Sequence, residues 1–150
     1  PQKYNFFVAL CCVFLYNKRT QTQRAIKMKY NANLIKSSFE NETPTLQVSN
    51  EELLEGSFDS AYPLINTDMI ACYYGKINKV PVCVFHDENG RLKEGDLHGV
   101  AINFDSGLVS FCGNVLIVDE EEDQSSPFDL DAIDSLISSG KICAYLMSAK

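Results

Sequence analysis

Apolar and polar positions along the chain divide it into short strands and turns. From Met69 to Val118 five runs rich in β-branched and aromatic residues follow one another: Met69–Tyr74, Val80–Phe85, Val100–Phe104, Leu108–Cys112 and Val115–Val118. Gly75, Asp87-Glu-Asn-Gly90, Gly95, Gly99 and Asp105-Ser-Gly107 lie between them. Short apolar runs punctuated by turn residues predict an antiparallel meander, with Asn89-Gly90 as a tight hairpin turn and the glycines supplying positive φ.

Upstream, Ile26, Met28, Tyr30, Ala32 and Leu34 alternate with Lys27, Lys29, Asn31 and Asn33. Period two with one apolar face predicts a half-buried strand. Ser37 to Pro44 reads as a polar loop. Ser49, followed three residues later by Glu52, then by Leu53-Leu54 and Gly56, carries the marks of a short helix near 50–55. Tyr62-Pro63 predicts an extended, irregular passage into the meander, because a residue before proline is pushed out of the helical region.

Downstream, Ser126 as N-cap, Pro127 at the first helical position, an apolar stripe of Leu130, Ile133, Leu136 and Ile137, and Gly140 as terminator predict a helix over 127–139. Lys141–Met147 returns as a strand. The expected fold is α+β: a mainly antiparallel sheet of five to seven strands, with one longer and one short helix packed on it. With no dividing linker, residues 1–150 read as a single domain.

Charge changes the picture at the start of the chain. Residues 1–39 hold seven basic side chains and no acid, whereas residues 40–150 hold six basic and twenty acidic ones, and the total is -7. The acidic body argues against nucleic acid as the partner of the whole domain. The basic segment reads as lying along that body or a neighbouring subunit, or else as an arm for nucleic acid or membrane. Phe6 to Tyr16 is an unbroken apolar run followed by Asn17-Lys-Arg19. It is too short to cross a bilayer. It reads as a buried element or a homo-oligomer interface, the other option being a signal or anchor.

Met28 opens the first well-patterned strand, so residues 1–27 are treated as a lead segment and 28–150 as the globular core. Asn17-Lys-Arg-Thr-Gln-Thr-Gln-Arg24 resembles the read-through of a recombination-site repeat that flanks integron gene cassettes. The resemblance implies a small protein of a mobile cassette and no particular activity.

Cysteines 11, 12, 72, 83, 112 and 143 all fall within apolar runs, where a free thiol behaves as a small hydrophobe. None has metal-ligand spacing, so a reduced, cytoplasmic protein without metal or cofactor is expected.

Three motifs touch on chemistry. Gly95-Asp-Leu-His-Gly99 resembles the opening of the metallophosphoesterases, which would make Asp96 and His98 metal ligands, but the family's leading strand and later motifs are missing. Asn114–Asp123 resembles the first strand of a response-regulator receiver, in a chain with too little sequence after it for that fold. Asp87-Glu-Asn-Gly90 fails calcium-loop spacing. Cys83 and His86 would point to opposite faces of a strand, whereas Cys112 and His98 could meet across a hairpin.

Two functions remain. The first and preferred one is a non-enzymatic acidic interaction module, in which Asp119, Glu120, Glu121, Glu122 and Asp123 steer a basic protein partner. The alternative is a small-molecule-binding or hydrolytic protein with a pocket between the meander and the 127–139 helix. Tyr62, Tyr73, Tyr74, His98 and Cys112 are the candidates to line it.

Overall fold

The computed structural model describes residues 28–90 and 97–147. The elements are β1 (Lys29–Glu40), β2 (Thr43–Leu54), α1 (Tyr62–Ile65), β3 (Ile70–Ile77), β4 (Val80–Asp87), β5 (Leu97–Phe104), β6 (Gly107–Cys112), β7 (Val115–Asp119), α2 (Leu130–Ser138) and β8 (Ile142–Met147). They form a five-stranded sheet in the order β2-β1-β7-β4-β3 and a three-stranded sheet in the order β6-β5-β8. Every pairing is antiparallel.

The mainly antiparallel α+β expectation therefore holds. Its strand count does not, since eight strands occupy two sheets among the described residues. All five runs of the expected meander are strands, but they do not form one meander. β5 and β6 leave for the second sheet, and β7 returns to fill the gap between β1 and β4. Asn89-Gly90 is thus the start of a connection between sheets rather than a hairpin turn. The turns that do close hairpins are Asn41-Glu42 (φ 50° and 63°) and Asn78-Lys79 (φ 50° and 69°). Two consecutive left-handed residues suit the twist of a two-residue hairpin.

The alternating pattern buries both faces of the larger sheet. Tyr30, Ala32, Leu34, Cys83, Phe85, Leu116 and Val118 face one core, closed by Phe58, Ala61, Leu64 and Ile65 from the α1 segment. Ile35, Val82, Val84, Val115 and Ile117 face a second core, which they share with Val100, Ile102 and Phe104 of the small sheet and Ile133 and Leu136 of α2.

Several local expectations are corrected by this packing. Residues 50–55 are not helical: β2 pairs with β1 along its full length, placing Leu53 opposite Tyr30. Ser49 bonds the Glu51 carboxylate (3.1 Å) instead of capping a helix. The 37–44 loop is the far end of the same hairpin. Tyr62-Pro63 is helical, because proline in the first turn of a helix costs no hydrogen bond. α2 starts later than expected, with the Asp129 carboxylate accepting from Ala132 N (2.7 Å). Ser126 instead reaches the buried Asn33 side chain and accepts from Phe128 N (3.2 Å). Gly140 does terminate the helix at φ 81°.

Gly75 and Gly99 are not turn residues. Both lie inside strands where another group passes too close for a side chain. None of the described cysteines forms a disulfide. Cys72, Cys83 and Cys112 are buried as expected, but Cys143 is exposed. The lead segment, residues 6–16 with their proposed self-association, and Gly95-Asp96 lie outside the described residues. Among those described, no helix is long and apolar enough to cross a membrane.

Candidate functional site

The site begins where β1 parts from its neighbour. Its ladder with β7 ends at Ile35 opposite Val115. Beyond that point the side chain of Asn114, set on the turn after Gly113, takes over. Its Oδ1 accepts from Ser37 N (2.9 Å) and its Nδ2 donates to Leu64 O (3.2 Å) in α1. One amide thus ties together β1, α1 and the β6–β7 turn. Ser37 is consequently held as a buried residue, 8% exposed, facing the smaller sheet.

His98 approaches from that sheet. β5 is its central strand, paired on both sides, and the His98 carbonyl accepts from Gly113 N (2.8 Å). The next residue, Gly99, allows β6 to close tightly: a Cβ there would stand 1.9 Å from Phe111 O. The result is a direct hydrogen bond between the Ser37 hydroxyl and His98 Nδ1. When Nδ1 is unprotonated, the serine is the donor.

Ser37 and His98 open into a cavity of about 290 Å³, whose wall also includes Asp87, Cys112, Asn66 and Asn114. This is the lower end of the range for ligand pockets (~300–1,000 Å³). Asp87 is buried at the end of β4, and its Oδ1 accepts from the Thr67 hydroxyl (2.8 Å) and Asn89 N (3.0 Å). The Tyr145 ring lies beside Gly99, and its hydroxyl donates to Cys112 Sγ (3.3 Å).

Of the five residues predicted to line a pocket, His98 and Cys112 share this one. The other three lie elsewhere. Tyr62 borders a shallower neighbouring depression with Pro63, Asn66, Thr67 and Asp68. Burial, with Asp59 and Asp68 nearby, pushes its phenol pKa up. Tyr73 packs on Phe104 and Phe111 in the second core, and Tyr74 packs on the first. The cavity is bounded by β1, α1 and the β6–β7 turn, not by the long helix.

Cys83 and His86 do face apart: Cys83 joins the first core, while the His86 ring lies 4.8 Å from that of Phe111. Cys72 has its thiol pKa driven far up by a hydrogen bond with Cys83 and by burial, which disfavours the thiolate.

The five acidic residues predicted to bind a partner occupy the opposite end of β7 from Asn114. Asp119 Oδ1 accepts from Glu121 N (3.2 Å) and Asp123 Oδ1 from Gly56 N (2.9 Å). No group of three or more histidine, cysteine or acidic side chains is arranged to hold a metal ion among the described residues.

Ser37, Asp87 and Asn114 are the site residues that sequence reasoning missed. Ser37 had nothing local to mark it, and Asp87 and Asn114 stood only in motifs that point to other chemistry. No protein family, curated protein or solved structure matches the chain.

Proposed function

We propose that the protein binds a small polar molecule in the cleft between its two sheets. The carrying observation is the convergence of the Ser37 hydroxyl, the His98 imidazole and the Asp87 carboxylate on one cavity from three separate strands. A mostly preformed concavity with a few placed polar groups is the general form of a small-molecule site. The test is a fragment screen read by amide chemical shifts. Bound compounds should move the signals of residues 37, 66, 87, 98 and 112–114 together. Shifts that map elsewhere, or no hit from a polar library, would remove the reading.

A second reading rests on the β7–α2 loop. Asp119 and Asp123 fix its backbone, while Glu120 and Glu121 are exposed. Such a fixed anionic surface suits a basic protein partner, whose association it would accelerate. Glu120→Gln with Glu121→Gln spares the two backbone-holding aspartates. Association with basic proteins should slow several-fold at low salt and little at high salt. An equal rate at low salt would exclude this role for the loop.

A further inference from the structure

We infer that Ser37 is a nucleophile with His98 as its base, and that the cleft takes a small, uncharged acyl ester; this rests on the cleft being a ligand site. A serine hydroxyl is a weak nucleophile until a base stands within hydrogen-bond reach. Here that base is in direct contact through Nδ1. Both partners are held by regular backbone. Ser37 is fixed through its N–H by Asn114, and His98 through a strand paired on both sides and through Gly113. Reacting groups on strands keep their geometry better than groups on loops. A hydroxyl–imidazole pair serving only the fold could be sealed by packing, but this one borders open volume.

The rest of the wall narrows the substrate. Among the described residues it offers no lysine or arginine, and it includes the Asp87 carboxylate. Phosphoryl transfer relies on cationic clamps around the transferred group. A neutral carbonyl needs none and meets no repulsion from Asp87. The volume of about 290 Å³ suits a short acyl group. Cys112 shares the cavity, but the imidazole is engaged with Ser37, and the Cys112 sulfur accepts from Tyr145.

In the reaction, Ser37 Oγ attacks the carbonyl carbon as its proton passes to His98 Nδ1 and the carbonyl π pair moves to oxygen. Collapse of the adduct breaks the bond to the alcohol oxygen, which leaves with the proton from His98. Water then attacks acyl-Ser37, gives its proton to His98, and releases the acid as Ser37 recovers that proton. The net change is ester plus water to acid plus alcohol.

The probe is an uncharged alkyl fluorophosphonate, which phosphonylates activated serines with loss of fluoride. It is applied to the folded wild-type chain and read by intact mass and peptide mapping. One adduct on Ser37 is expected. Folded His98→Asn, checked by circular dichroism, should label at least about 100-fold more slowly. Absence of an adduct on the wild type overturns the inference. So does an adduct on Cys112 or Tyr145 instead, or an unchanged rate in His98→Asn. The wild-type arm is decisive even if the variant fails to fold. Fragment binding in the cleft without labelling sinks the nucleophile alone, whereas neither binding nor labelling sinks the ligand site as well.

Discussion

His86 is a side chain whose ionisation bears on stability. Burial against Phe111 lowers its pKa from the ordinary 6.5, outweighing the opposing pull of the Asp87 carbonyl and carboxylate. The folded protein therefore prefers the neutral ring, while the unfolded chain takes up a proton near pH 6.5. As pH falls below that value the unfolded state binds more protons than the folded one, and stability drops until the buried ring itself titrates. His86→Phe keeps a ring on Phe111 and removes the titration. In denaturant melts the wild type should lose stability more steeply than the variant below pH 6.5, and the two slopes should coincide well above it. Parallel slopes throughout would mean that His86 is not held neutral.

Strands were easier to read than their partners. The pattern of apolar positions locates strands: alternation marked β1, and short apolar runs marked β3, β4, β5, β6, β7 and β8. It carries no information about which strand lies alongside which, and the same five runs fit one sheet or two. β2 was missed for a different reason. Ser49 and Glu52 supply a valid helix-start pattern, but it is worth only about 1 kcal/mol, and β2 pairs with β1 at every position from Thr43 to Leu54. The contrary signal was Leu46 and Val48 alternating with Thr45 and Gln47, which packs Leu46 and Val48 on the second core.

The two strand glycines show how closely the elements are fitted. An alanine Cβ at position 75 would stand 2.6 Å from the ring of Phe104, a side chain that would have to shift within the second core. At position 99 it would stand 1.9 Å from the Phe111 carbonyl oxygen, which belongs to a paired strand. Gly75→Ala should cost about 1–3 kcal/mol of unfolding free energy. Gly99→Ala should cost more, or prevent folding, because β5 and β6 must separate. Equal, small losses in chemical denaturation would show that the sheets yield more readily than the contact distances imply.

At the scale of the molecule, the site was only half visible. His98 and Cys112 are brought together within one sheet, Gly99 lying opposite Cys112, so a hairpin pattern was enough to suggest them. Ser37, Asn114 and Asp87 reach the cavity from the strands and turns of the larger sheet. Their meeting with His98 depends on how one sheet lies on the other, which no short-range pattern encodes. The acidic loop was legible as composition, but not the use of Asp119 to brace its backbone or of Asp123 to tie it to Gly56 N.

The joint at Ser37 has one more consequence. The ladder between β1 and β7 is made of main-chain hydrogen bonds, but the rung that follows it is the side-chain amide of Asn114. That rung can be removed by changing one codon. The hairpin end beyond it, Ser38 to Thr45, would then be anchored more loosely at its root, and its amides would exchange with solvent faster. One substitution at position 114 would thus alter both the frame of this cavity and part of its wall.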